Sequence, residues 1–275
     1  MGKFLAAVFI GLVVVITKTA SSQAATIYVP LNYKTINEAV KNALPKDIII
    51  VSAGNYTENI IITKPLTIKS SKGADTSIVH ALAHSEPVFK ISNASDVSIT
   101  GLGITGSLVS GVYLYAANNV KITGNKLTEN GSGIILYSSN GNTLSNNEAV
   151  ANKQYGIYLE SSNGNTLEKN TLTLNKDKGI FLSSSSSNNL INNDVTLNAW
   201  DGIILWSSHN NILDGNKVYR NRYGITISES NNNTLTNNSQ WSNIYVILPA
   251  VLVYIGIIVY LIQKTLIRFI YRDKE

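Results

Sequence analysis

Residues 156–175 read GIYLESSNGNTLEKNTLTLN, and residues 133–152 read GIILYSSNGNTLSNNEAVAN. Two polar stretches that keep their leucines and asparagines in register are the mark of an internal repeat. The glycine before each aliphatic run recurs at Gly111, Gly133, Gly156, Gly179, Gly202 and Gly224, in steps of 22, 23, 23, 23 and 22 residues. One and three residues after it the chain is always aliphatic, from Val112 and Leu114 to Ile225 and Ile227. Position eleven is aliphatic in all six units, and position sixteen in five, failing at Gln240. Asparagine holds position fourteen in every unit (Asn125 to Asn238) and position nineteen in five (Asn130 to Asn221). A degenerate earlier unit fits the same frame, with Val88 in the glycine place and Phe89, Ile91, Ile99 and Ile104 after it.

Alternation with period two means strand. Each unit holds three short strands separated by Asn, Gly and Ser, and none has enough apolar side chains to fold alone, so neighbours must stack. These features predict an all-β fold, a right-handed parallel β-helix with 22–23-residue coils, the hand following from the strong bias of parallel crossovers. Equivalent strands would lie about 4.8 Å apart, so seven coils rise roughly 34 Å. The asparagines are expected at sharp corners, in left-handed backbone, and in amide ladders along the axis.

The ends differ from the middle. Lys3, the apolar run Phe4–Ile16 and the small residues up to Ala24 predict a signal peptide over residues 1–24. In TINEAVKNAL (35–44), Ile36, Ala39, Val40, Ala43 and Leu44 share one helical face, Thr35 and Glu38 offer a capping box, and Pro45 ends the run. That helix is expected to cover the first coil. Residues 25–87 therefore read as an N-terminal cap with irregular first coils, and 88–240 as the regular repeat. Ile244–Ile262 is an uncharged apolar segment, about 28 Å long as a helix and enough to cross a bilayer. Lys264, Arg268, Arg272 and Lys274 follow it, which predicts a cytoplasmic tail over 263–275 and a β-helix on the extracellular or periplasmic side of a single-pass protein.

Net charge is +5, with 22 Lys and Arg against 17 Asp and Glu. Residues 25–243 hold 16 Lys and Arg against 15 Asp and Glu, or +1, so the excess lies at the ends and no nucleic-acid surface is implied. With no cysteine, the fold must rely on its core and backbone ladders.

The stretch TINEAVKNALPKDIIIVSAGNYTENIIITKPLTIKSS (35–71) resembles the start of pectin-lyase-like β-helix proteins. The GIxLxxSxxNxLxxNxxxxN coils resemble the NosD-type, carbohydrate-binding and sugar-hydrolase right-handed β-helices, over roughly residues 26–240. That resemblance implies fold more than chemistry, because the shared positions are structural. It leaves three functions open: a membrane-anchored cell-surface β-helix that binds glycans or builds the envelope without catalysis; a polysaccharide lyase, epimerase or hydrolase; or a NosD-like accessory protein for copper-enzyme maturation.

Candidate sites follow from residue chemistry. GLGITG (101–106) matches GxGxxG but precedes another β coil and lacks the acidic residue of a dinucleotide fold, so it reads as a coil turn. Asp201 and His209 bracket one strand, with Glu160 two coils away, as acid/base candidates; the alternative is solvated loop residues. Copper wants His, Met or Cys, and the chain offers His80, His84, His209 and the initiator Met1, so no cofactor or metal is expected. Sequons at Asn55, Asn93, Asn130, Asn232 and Asn237 are glycosylation candidates. Positions two and four after each glycine face outward, yet give Tyr113, Tyr115, Tyr137, Tyr158, Phe181 and Trp206. Stacked at ~4.8 Å these rings would form a stripe suited to a glycan or an envelope component, unless they serve only to stabilise the sheet.

Overall fold

A computed structural model describes residues 24–241, so the expected signal peptide, the 244–262 segment and the tail lie outside the described residues. The chain forms a parallel β-helix of three sheets, with every strand pair parallel. Sheet I has 8 strands and includes those beginning at the repeat glycine; sheet II has 10 and carries position eleven; sheet III has 9 and carries position sixteen. Register is that of the repeat: Val112 pairs with Ile134, Ile122 with Leu144, and Leu127 with Ala149. Residues 25–87 break the sequence pattern but not the fold. Thr26–Val29 and Ile48–Val51 already belong to sheet II, Gly54–Thr57 opens sheet III and Ile60–Ile62 opens sheet I.

One helix, Ile36–Asn42, closes the first coil, and among the described residues no helix is long and apolar enough to cross a membrane. Ile36, Ala39, Val40 and Ala43 are buried as expected, whereas Leu44 is 59% exposed. Ala43 leaves the helix in extended backbone (φ −62°, ψ 143°), which swings Leu44 off the buried face. The capping box is half formed: Thr35 Oγ1 accepts the Glu38 N–H at 3.1 Å, but the Glu38 carboxylate takes the Lys34 N–H instead. Buried Glu58 caps the same helix end, accepting from the N–H groups of Ile36 (2.9 Å) and Asn37 (2.8 Å).

The repeat glycine is there for space. A Cβ on Gly156 would stand 2.6 Å from Leu172 Cδ2 and 2.7 Å from the Gly179 carbonyl, and one on Gly179 would stand 2.2 Å from Val195 Cγ1. Each glycine lets its strand lie against the position-sixteen side chain of its own coil.

Asparagine has two roles. At the corners it takes part as expected, with Asn119, Asn146, Asn192, Asn210, Asn232 and Asn237 in left-handed backbone, though it shares them with other residue types. The left-handed residues occupy positions five, eight, thirteen and eighteen, as with Ser161, Gly164, Lys169 and Leu174 in one coil. The asparagines at fourteen and nineteen follow those corners and turn inward, buried in every coil but the last, where Asn238 is half-buried. There they make the ladders. Asn170 Oδ1 accepts both the backbone N–H and the side-chain amide of Asn147 at 3.0 Å. Its own amide donates to the Leu144 carbonyl (2.9 Å) and to Asn193 Oδ1 (3.0 Å). All the hydrogen-bonding capacity of a buried amide is used. A third asparagine ladder runs at position nine through Asn142, Asn165, Asn188, Asn211 and Asn233. A serine ladder runs at position six through Ser139, Ser162, Ser185, Ser208 and Ser230.

Replacing a central rung should therefore cost more than its size suggests. Asn170→Ala strands two donors of Asn147 in a buried site, at about 1–3 kcal/mol for each group left without a partner, and takes one bond each from the Leu144 carbonyl and Asn193 Oδ1. Urea denaturation should show a loss of at least about 2 kcal/mol. Asn238→Ala, in the half-buried last coil where water can replace the amide, should lose clearly less.

Candidate functional site

Because the core columns are fixed, so are the outward columns of sheet I. Position two gives Tyr113, Ile135, Tyr158, Phe181 and Ile204 in pairing order; position four gives Tyr115, Tyr137, Glu160, Ser183 and Trp206. The position-two side chains are half-buried, while Tyr115, Tyr137 and Trp206 are exposed by 42, 38 and 49%. The rings do not form one unbroken ladder. Tyr115 and Tyr137 stack at 5.7 Å with 15° between planes. One coil further on, the stack shifts to position two, where Tyr158 and Phe181 lie 5.0 Å apart at 23°. Ile135 and Ile204 bound that second stack in its own column, and Glu160 and Ser183 separate Tyr137 from Trp206 in the other.

Two members of this face stand just before the repeat glycine, outside the positions that the period singles out. Tyr155 meets Tyr158 at 5.1 Å and Phe181 edge-on at 5.6 Å. Lys178 Nζ lies 5.4 Å from the centres of both the Tyr155 and Phe181 rings and 2.8 Å from Asp177 Oδ1. The result is an apolar wall with a cation and a carboxylate at its margin.

Glu160 sits within this face, and the Tyr158 hydroxyl donates to its Oε2 at 2.9 Å. Burial, and then the bond to Glu160, hold the Tyr158 phenol well above its ordinary value; burial likewise raises Tyr113 and Tyr155. Asp201 and His209 stay at opposite ends of the strand Asp201–Trp206, about 16 Å apart before the corner is counted. Glu160 is two coils, about 10 Å, up the axis from that strand. Asp201 is buried and accepts from Thr226 Oγ1 at 2.5 Å. His209 belongs to an outer polar ladder at position seven: Asn163 N–H donates to Asn140 Oδ1, Ser186 N–H to Asn163 Oδ1, His209 N–H to Ser186 Oγ, and Asn231 N–H to His209 Nδ1 at 3.0 Å. Its imidazole does there what a serine oxygen does one coil away and an asparagine oxygen two coils away. The three acid/base candidates are thus not brought together.

Of the five sequons, Asn130 must be withdrawn. It is fully buried in the position-nineteen ladder, its amide donating to the Ile104 carbonyl and its oxygen accepting from Ser107 N–H. Asn55, Asn93, Asn232 and Asn237 are exposed. GLGITG is a corner, with Gly101 and Gly106 in left-handed backbone on either side of the strand Gly103–Thr105.

A parallel β-helix with a long, regular outer face defines a solenoid scaffold, and the sequence comparisons place this one. Residues 40–201, more than half of the chain, match the family described as "Periplasmic copper-binding protein (NosD)", and residues 175–247 match "Right handed beta helix region". The chain belongs to the NosD family of right-handed parallel β-helices. A cell surface glycoprotein of Methanothermus fervidus is 36% identical over 97 residues, which span 34% of this chain and 16% of that protein. Among solved structures, the chain resembles pectate lyase Pel9A (TM-score 0.61, 14% identity, 80% of this chain and 78% of that one). It also resembles the A-module of the Azotobacter vinelandii mannuronan C-5 epimerase AlgE6 (0.59, 13%, 74% and 69%) and the periplasmic alginate epimerase AlgG (0.56, 17%, 72% and 61%). At such identities the likeness is one of fold.

The family description raises copper, and the donor set does not fit it. Soft copper ligands are missing, since the chain has no cysteine and one methionine, Met1. Among the described residues no three His, Cys, Asp or Glu side chains converge. The ring nitrogens His80 Nε2 and His84 Nδ1 are each engaged, with Asn55 Oδ1 (3.2 Å) and the Gly106 carbonyl (2.6 Å).

The raised tyrosines carry a pH signature. Below the ordinary phenol value of 10.0 both folded and unfolded chains keep the proton. Above it the unfolded chain ionises first, so stability falls as pH climbs toward the folded value. The urea midpoint should decline past pH 10.0, and Tyr158→Phe should flatten that decline.

Proposed function

We propose that this protein is a membrane-anchored β-helix of the cell surface that holds a glycan strand, or a glycan-bearing envelope component, on the outward face of sheet I. The role is binding, not catalysis. The observation that carries this reading is the ring pair Tyr115–Tyr137 followed by Tyr158–Phe181–Tyr155 and then Trp206, on one face of a rigid sheet. Aromatic faces accept the apolar side of a sugar, and the neighbouring Glu160 and Ser183 offer acceptors and a hydroxyl for its rim. Coils about 4.8 Å apart repeat these contacts along an extended ligand, so weak contacts add as linked sites do. Surface placement is supported by the cell surface glycoprotein relative, by the exposed sequons, and by the signal and 244–262 segments of the sequence.

Full-length protein in nanodiscs, screened on a glycan array, tests this. Tyr137→Ser with Trp206→Ser should cut binding at least about tenfold, the scale of one or two lost aromatic contacts, with the β-sheet circular dichroism unchanged. Adding Tyr158→Ser should remove the rest. Unchanged binding in a folded double variant refutes the site. The carbohydrate-enzyme reading rests on Glu160, the carboxylate inside the aromatic face. If Glu160→Gln retains affinity and no polymer is cleaved or epimerised by either protein, binding stands; a Glu160-dependent turnover would replace it.

A further inference from the structure

The columns that are sealed throughout the solenoid open at its C-terminal end. In the coil from Gly202, Ile203, Leu205, Leu213 and Val218 are fully buried. In the next coil the same columns present Ile225 half-buried, Ile227 at 40% and Leu235 at 43% exposure, with Gln240 in the fourth. Gln240 Oε1 takes the N–H of Ile225 at 2.8 Å, so that corner is closed by a polar bond in place of an aliphatic side chain. No second helix stands here among the described residues to do what Ile36–Asn42 does at the other end.

Residue types at this end are unlike those elsewhere. All three tryptophans of the chain, Trp200, Trp206 and Trp241, lie within residues 200–241, and so do Arg220 and Arg222, the only arginines of residues 24–241. The Arg222 guanidinium lies 4.2 Å from the centre of the Trp200 ring and 5.4 Å from that of Tyr223. Tyr219 meets Trp241 edge-on at 6.4 Å, and these two line a cleft of about 540 Å³ with Leu197 and Arg220. Trp, Tyr and Arg around exposed aliphatics are the composition of a membrane–water interface. Over residues 202–241 Lys217, Arg220 and Arg222 stand against Asp214 and Glu229, and Glu229 is held by Trp206 Nε1 and Ser207 Oγ. Two residues separate Trp241 from Ile244, so the apolar segment begins within about 11 Å of the last strand.

We propose that this open end is seated on lipid, so that the solenoid stands on the bilayer and the headgroup layer completes the last coil. The inference rests on the anchoring role of residues 244–262 and adds an orientation to it: contact by the whole end face, across all three sheets, in place of a tether at Trp241 alone. A parallel end left bare would pair with another chain; lipid removes that hazard without a second protein cap.

The cysteine-free sequence makes the test direct. Single cysteines at Ile227 (sheet I), Leu235 (sheet II) and Trp241 (sheet III), with Tyr28→Cys at the opposite end, are bimane-labelled in full-length protein. The protein is held in phosphatidylcholine–phosphatidylglycerol nanodiscs carrying headgroup spin-labelled lipid. Thr234→Cys replaces Leu235→Cys should the latter fail to fold. Seating predicts quenching at 227 and 235 within about twofold of that at 241, and none at 28. Quenching at 241 alone overturns it and leaves a flexible tether. Disulfide capture between two copies through Leu235→Cys, without quenching, overturns it in favour of end-to-end pairing. Release of the chain by alkaline carbonate, with no site quenched, refutes the anchor itself.

Discussion

The fold depends on one interaction, the hydrogen bond from a buried asparagine to the asparagine one coil away. A solenoid coil of 22–23 residues encloses too few apolar side chains to pin its own path, and its corners point backbone N–H and C=O groups toward the interior. Leaving these unpaired would cost more than the thin core gains. The inward amides at positions nine, fourteen and nineteen pair them, and each amide is itself satisfied by its neighbours above and below. Such a network is self-consistent only when every coil has the same length between rungs. Register is thereby enforced: a slip by one residue would leave buried amides and backbone donors unpaired at every rung and turn the aliphatic columns outward.

That rigidity is what gives the outer face meaning. On a sheet whose inner columns cannot shift, outward residues stack at a fixed pitch without having to specify it. The outside of sheet I is free to vary, and it varies: Tyr and Trp in some coils, Ile, Glu and Ser in others. The aromatic pairs contribute some stability of their own, about 0.2–1 kcal/mol each. Stability alone, however, does not explain why Tyr115, Tyr137 and Trp206 leave more than a third of their surface in water while the β-branched alternatives lie beside them.

Much of this was legible in the sequence because the inward positions repeat by identity. Glycine, asparagine and the aliphatic columns announced the period, the three sheets and the ladders at fourteen and nineteen. The ladder at position nine was hidden by one exception, Val120, whose N–H meets Asn142 Oδ1 although valine cannot continue the ladder. The serine ladder was hidden in the same way by Ala117. The left-handed corners were legible only in part: asparagine takes some of them, as at Asn146, Asn192 and Asn237, but residues as different as Lys169, Leu174 and Arg220 adopt others. Once the following asparagine is locked inward, the corner conformation is imposed by context and its own side chain is released. Tyr155 and Lys178 escaped because side chains just before the glycine follow no rule: Ser110, Ser132, Tyr155, Lys178, Asp201 and Tyr223 succeed one another there.

The same logic separates family from chemistry. What the chain shares with the pectate lyase and alginate epimerase structures is the fold, whose inward columns any β-helix needs whatever it does. Function has to be written in the outward columns, where the described residues bring together no copper donor set and no acid/base group. His209 illustrates the point. In isolation it is the natural candidate for proton transfer, yet it occupies an outer ladder in which asparagine and serine fill the equivalent places of other coils, and its Nδ1 accepts a backbone N–H. A titratable residue in a repeat has to be weighed against the residues stacked above and below it: where they make the same bond without titrating, the bond, and not the proton, is what the position requires.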